Sequence, residues 1–158
     1  MARKKITVEI DDRGSLLKFR IEEMPATKLH NWMIRAALAL SGGGGEIISE
    51  AGSVRQLVDY LRTHGEEGLF KLLQSLEFEK VQPLLDELLG CCIRTDAGAD
   101  QRLDNPDNID GVISDVRTIF KLQLESAKLN LGFFGSEPAA ESPSGSPMNI
   151  NIGRPASQ

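Results

Sequence analysis

The residues with the greatest capacity for chemistry in this sequence are two cysteines and two histidines. Cys91 and Cys92 are adjacent, and neighbouring cysteines rarely bridge each other because the small ring strains the peptide between them. A structural zinc site needs about four ligands at a recognisable spacing, which His30 and His64 do not supply. We therefore interpret both cysteines as ordinary thiols, and we expect no metal site and no cofactor.

Acidic residues are concentrated in residues 95–115, where six aspartates accompany one arginine. A calcium loop beginning at Asp104 would need glycine at its sixth position and glutamate at its twelfth. The sequence has Ile109 and Asp115 at those positions. We therefore predict a solvated loop here, accompanied by a short strand near Ile93.

Two further patterns resemble catalytic or binding motifs. The run Gly42–Gly45 follows a predicted helix and precedes no Lys-Ser or Lys-Thr pair, so it indicates a helix end rather than a phosphate-binding loop. Asp86 and Glu87 are adjacent on a predicted helix, so their side chains diverge and are unsuited to paired acid–base work. We predict that the protein is not an enzyme.

Length, composition and charge exclude several classes of function. The chain has 158 residues, 41% hydrophobic residues and a net charge of −5, which suits one domain with a polar extension. An acidic balance argues against nucleic-acid binding by phosphate neutralisation. No stretch of about 18 apolar residues indicates a membrane span, and no apolar signal-peptide core is present near the N-terminus. We expect a location in the cytoplasm.

The N-terminal segment predicts a β-hairpin. Apolar and polar residues alternate over residues 4–10 and again over residues 17–22, and a turn sequence at Asp11–Gly14 separates the two runs. A lone hairpin is only marginally stable, so it must pack on helices or pair with another chain. Its outer edges are candidates for subunit contacts, which leaves a homo-oligomer open.

The rest of the ordered chain predicts helices. Apolar spacing of three and four indicates helices over residues 27–40, 53–64, 66–76, 84–89 and 109–131. Thr27 is the predicted N-cap of the first helix, and Gly65 is the predicted left-handed end of the second. The main face of the first helix comprises Leu29, Trp32, Met33, Ala36 and Leu40. Three further residues widen it: Ile34, Ala37 and Leu38.

Composition changes after the last helix. Residues 135–158 are rich in Pro, Ser and Gly and have no apolar period, which predicts a disordered tail. Within this tail, Met148–Ile152 alternates and could add as a strand to a sheet edge. The predicted fold class is therefore mainly α: a small domain over residues 1–134, with an N-terminal β-hairpin and helices, followed by the disordered tail.

Four residues are candidates for partner binding. Trp32 and Met33 could anchor an interface, although such a pair is more often part of a core. Phe133 and Phe134 lie at the end of a predicted helix beside the tail, where few contacts are available to cover both.

Five segments follow one another along the chain: Lys18–Ile21, Met24–Lys28, Trp32–Leu40, Pro83–Leu89 and Ile113–Phe134. Their order resembles that in the tail assembly chaperones of long-tailed bacteriophages. The resemblance covers roughly residues 15–134 and transfers no site residues. It implies a chaperone of virion morphogenesis in the host cytoplasm, absent from the mature virion. The implied partner is the long helical tape-measure protein, with tail-tube subunits as a further partner. The alternative is a structural tail-completion or connector protein of the virion.

Overall fold

A computed structural model describes residues 3–43 and 54–135 of the chain. The strands are β1 (Lys5–Asp12), β2 (Ser15–Glu22), β3 (Cys92–Arg94) and β4 (Gln101–Arg102). The helices are α1 (Ala26–Gly43), α2 (Val54–Leu73), α3 (Phe78–Leu89), α4 (Pro106–Val112) and α5 (Val116–Gly135). The predicted disordered tail lies outside the described residues, apart from Gly135.

The predicted hairpin is confirmed. β1 and β2 pair antiparallel with Asp12 opposite Ser15, which leaves a two-residue turn. Both turn residues, Arg13 and Gly14, have positive φ (55° and 92°), as a type I′ turn requires. Asp11 Oδ1 accepts a hydrogen bond from Gly14 N at 2.7 Å and holds the turn closed.

The sheet is larger than the sequence predicted. β3 pairs with β2 and β4 pairs with β3, so the described strands form one antiparallel sheet in the order β1-β2-β3-β4. The suspected strand near Ile93 is therefore present. The fold is mixed α/β rather than mainly α. The strand β4 escaped prediction because it is only two residues long and lies in a segment rich in aspartate.

One hydrophobic core joins the sheet to the helices. Phe19, Ile21 and Leu122 are fully buried and belong to one cluster with residues of α1, α3 and α5. The apolar face of α1 is narrower than predicted. Leu38 and Ile34 do not extend the buried face, since they are 65% and 49% exposed.

The boundaries of the first three helices differ from prediction. α3 begins at Phe78, six residues before its predicted start, and Pro83 lies inside it. α1 begins at Ala26, and Leu29 N donates to Pro25 O at 2.9 Å, so Thr27 lies inside the first turn rather than at the cap. α2 comprises the two predicted helices joined at a kink. Gly65 has φ 60° and ψ −141° there, so the positive φ is present but the backbone lies outside the left-handed helical region.

The prediction of one long helix over residues 109–131 is wrong at its start. The helix is interrupted at residues 113–115, between α4 and α5. Ile113 is extended, with φ −109° and ψ 130°. The Asp12 carboxylate accepts hydrogen bonds from Ser114 N and Asp115 N, each at 2.8 Å, and from Thr118 Oγ1 at 2.8 Å. A residue of the hairpin thus satisfies backbone donors at the start of α5.

Candidate partner-binding groove

An apolar groove lies between α1, the second half of α2, α3 and α5. Its cavity volume is about 120 Å³, and every lining side chain is Ala, Val, Leu, Met or Trp. A cavity of about 150 Å³ with a similar lining stays dry and binds benzene in another protein, so this one suits a single apolar side chain. The sequence had predicted these helix faces separately, but not that they meet.

Trp32 forms part of the groove wall and is also fixed in the core. Its side chain is only 7% exposed, and its Nε1 donates a hydrogen bond to Leu84 O at 3.0 Å. The indole therefore joins α1 to α3, and its polar atom is satisfied inside the protein. Trp32 shapes the groove but presents little surface to a partner.

The accessible part of the groove is formed by neighbours of Trp32. Met33, Leu73 and Leu85 are half-buried, and Ala37 is exposed. Ile34 and Leu38 are the exposed residues one position further along α1 from Met33 and Ala37. The predicted partner residue Met33 thus lies where an apolar side chain of another protein could contact it.

The other two predicted partner residues lie at the end of α5. Phe133 and Phe134 are inside this helix, which runs to Gly135. Their side chains are outside the described part of the structure, so their proposed role in partner binding stays a prediction.

A polar contact links two of the helices that form the groove. Arg35 Nη2 lies 2.7 Å from Glu87 Oε1, which ties α1 to α3. Arg35 Nε donates to Asn31 Oδ1 at 2.7 Å. Asp86 accepts a hydrogen bond from Gln82 at 2.7 Å, so Glu87 and its neighbour Asp86 contact different groups.

The cysteines and histidines do not line the groove. Cys91 and Cys92 are free and buried, and burial raises the pKa of both thiols, which keeps them protonated and weakly reactive. His64 Nδ1 lies 3.0 Å from Tyr60 O, and the two rings are 4.3 Å apart. In the part of the chain that the structure describes, His, Cys, Asp and Glu side chains form no group of three suited to a metal ion.

Two aspartates of residues 95–115 contact arginine side chains of the sheet. Asp100 Oδ2 lies 3.2 Å from Arg20 Nη2 on β2. Asp96 contacts Arg94 at 2.8 Å, and that guanidinium lowers the pKa of the carboxyl against a small opposing effect of burial. The predicted loop is therefore wrong in part, because residues 95–115 contain β4 and α4. Five of the six aspartates are nevertheless exposed to solvent, as predicted.

Two buried polar residues were missed by sequence reasoning. Asn130 is fully buried, accepts from Met24 N at 2.8 Å and donates to Ser126 O at 2.9 Å. Asp12 is 4% exposed and carries the three hydrogen bonds described above. A polar residue on an otherwise apolar helix face was the available signal for Asn130, whereas Asp12 looked like an ordinary turn residue.

Comparison with known proteins adds no family to this description. The chain matches no protein-family model, no curated protein and no solved structure. Among residues 3–43 and 54–135, no helix has both the length and the apolar character needed to cross a bilayer. The groove and the order of apolar segments are therefore the features of the chain that bear on its function.

Proposed function

We propose that this chain is a non-enzymatic chaperone that binds an apolar helix of another protein in the groove between α1, α2, α3 and α5. The client that we propose is the tape-measure protein of a long-tailed phage, kept soluble until tail-tube subunits assemble around it. The site of action is then the host cytoplasm, and the mature virion lacks the chaperone.

The observation that carries this proposal is the entirely apolar lining of a groove that reaches the surface. Met33, Leu73 and Leu85 are only half-buried, so the isolated protein leaves apolar surface in water there. Covering apolar area contributes about 25 cal/mol per Å², so an apolar side chain entering the groove gains free energy from both surfaces. Helix-in-groove recognition uses such anchors at three- and four-residue spacing.

The surroundings of the groove support a helical client. Ile34 and Leu38 are separated by four residues and both are exposed, so they form a stripe parallel to the axis of α1. An amphipathic helix lying along α1 could place one side chain in the cavity and others on this stripe. The resemblance of the apolar segments to those of tail assembly chaperones selects the tape-measure protein among apolar helical clients.

The test is co-expression of the full chain with the tape-measure protein from the same phage. We expect the chain to raise the soluble fraction of the tape-measure protein and to co-purify with it. The variant Ala37→Glu places a charge at the accessible edge of the groove and is expected to abolish both effects, because burying a carboxylate against carbon is costly.

The matched control for this variant is Val116→Glu. Val116 is 60% exposed at the start of α5 and does not line the groove, so this change adds the same charge elsewhere. Its co-purification should equal that of the unmodified chain. The proposal fails if the unmodified chain neither solubilises nor retains the tape-measure protein, or if both variants lose binding equally.

A second candidate, a tail-completion or connector protein of the virion, is favoured by one observation. β1 is a long strand at the edge of the sheet, and such edges can pair with another subunit of an assembly. Mass spectrometry of purified particles separates the two functions. Stoichiometric peptides from this chain would favour the structural protein, and their absence would favour the chaperone.

A further inference from the structure

β1 presents a row of backbone hydrogen-bonding groups on its outer side. Glu23 N donates to Lys4 O at 2.9 Å, so the even-numbered residues of this segment direct their backbone groups toward β2. Alternate residues of an antiparallel strand point the opposite way. The N–H and C=O groups of Lys5, Thr7, Glu9 and Asp11 therefore point away from β2, where no described strand pairs with them.

The same alternation divides the side chains of β1 between two faces. Ile6 and Val8 are half-buried and Ile10 is buried, all on the face that packs on the helices. The odd-numbered residues have exposed side chains on the opposite face. A strand added to this edge keeps both faces continuous only if it also has apolar residues on the inner side.

A second copy of β1, running antiparallel to the first, meets this requirement. In an antiparallel pair centred on Val8, Ile6 of one chain lies opposite Ile10 of the other. On the outer face, Lys5 then lies opposite Asp11, and Thr7 lies opposite Glu9. The two-fold axis produces the Lys5–Asp11 pair twice, and opposite charges facing each other across strands are stabilising. Odd-numbered residues face odd-numbered residues, so the outward backbone groups of both chains meet.

Two neighbouring arrangements fit less well. Shifting the pairing by one residue places apolar side chains opposite charged ones and breaks the match of backbone groups. Centring the pair on Thr7 also joins opposite charges, but it places Lys4 opposite Ile10 on the inner face. Of these arrangements, only the one centred on Val8 joins opposite charges on the outer face and keeps Ile6, Val8 and Ile10 each opposite an apolar side chain on the inner face.

We propose that two copies of this chain pair antiparallel along β1, centred on Val8, and form a continuous eight-stranded sheet. The order is then β4-β3-β2-β1 of one copy followed by β1-β2-β3-β4 of the other. No residue of the apolar groove takes part, so the pairing holds or fails independently of the proposed chaperone function.

Light scattering on the full chain, combined with charge reversal, tests this pairing. We expect a dimer. Lys5→Glu alone or Asp11→Lys alone puts like charges opposite each other twice, and should weaken dimerisation about tenfold. An equimolar mixture of the two variants restores both attractive pairs and should dimerise more tightly than either variant alone.

Cross-linking tests the register. A cysteine at Val8 would face its own copy across the axis, so Val8→Cys should form a disulfide-linked dimer under mild oxidation. Thr7→Cys is the matched control, because Thr7 faces Glu9 in this register and the thiols are then offset. Preferential linkage through Thr7→Cys would overturn the register, since it indicates a pair centred on Thr7.

A proline variant tests the edge with little effect on the hairpin. Thr7→Pro removes an N–H that points outward, a position where an edge strand tolerates proline, and should give a folded monomer by circular dichroism. A dimer that survives this change overturns the proposal. An unmodified chain that is monomeric at millimolar concentration also overturns the proposal. The same holds if the monomer's β1 amides are protected from hydrogen exchange, which would indicate that residues 148–152 pair with the edge instead.

Discussion

Two regions of the molecule differ in what their side chains contact. One is the junction between the hairpin and α5, and the other is the apolar groove. At the junction, the Asp12 carboxylate is buried and accepts three hydrogen bonds at 2.8 Å. In the groove, by contrast, the lining is entirely apolar and part of it reaches solvent. Hydrogen bonds specify one geometry, whereas apolar contact tolerates a change of partner. The junction therefore holds the hairpin and α5 in one geometry, whereas the groove leaves apolar side chains in contact with solvent.

Replacing Asp12 should have the largest effect on stability. Asp12→Ala leaves the buried donors of Asp115 and Thr118, and the part-buried N–H of Ser114, without their acceptor. This should cost about 3 kcal/mol in the free energy of unfolding. Urea denaturation measures this cost. Glu9→Ala is the control on the same strand, and its exposed ion pair with Lys18 predicts a loss below about 0.5 kcal/mol. Similar losses in the free energy of unfolding for both variants would show that the hydrogen bonds of Asp12 do not stabilise the fold more than an exposed ion pair does.

The kink on the groove side should be the next most sensitive position. Gly65→Ala introduces a side chain at φ 60° and ψ −141°, a region almost restricted to glycine, and should cost about 2 kcal/mol although no neighbouring atom obstructs the new carbon. Gly111→Ala, inside α4 and equally unobstructed, should instead gain about 0.5 kcal/mol. Thermal denaturation of the pair checks the opposite signs.

Acid should weaken the junction before it affects the apolar groove. The Arg117 side chain, with its backbone N–H, lowers the pKa of Asp115 from 3.8 to about 2. Burial opposes a lower pKa at Asp12, but the hydrogen bonds from Ser114, Thr118 and Asp115 outweigh it. The unfolded chain binds more protons in this range, so the contribution is complete above pH 3.8 and is lost as the pH falls toward about 2.

Urea midpoints between pH 5 and pH 2.5 measure this loss. Asp115→Asn should reduce the pH dependence, because it removes one of the titrating groups. Asp110→Asn changes an exposed carboxyl of α4 and serves as the control. An identical pH dependence in all three proteins would contradict the assignment.

The smallest expected effect is on the groove side. Ala37→Glu changes an exposed helical position, so the free energy of unfolding should change by less than about 0.5 kcal/mol while client binding is lost. A large destabilisation would mean that the groove is part of the structural core. In that case the contrast between the two regions would disappear.

The spacing of apolar residues in the sequence was enough to predict most of the helices and strands of this fold. The alternation around Asp11–Gly14 predicted the hairpin, and spacing of three and four predicted most of the helix faces. The break at Ile113 could not be predicted because the apolar period continues through it. Its cause is Asp12, which is about a hundred residues away in sequence and competes for the backbone donors of Ser114 and Asp115.

The sequence by itself determined which residues alternate, which repeat at helical spacing and where glycine permits a turn, because these properties depend on neighbouring residues. Only the tertiary structure decided that Trp32 is fixed to Leu84, that Met33 reaches the surface and that β1 is an edge strand. Those outcomes depend on contacts between segments far apart in the chain. A local pattern carries no information on which distant surface will cover it.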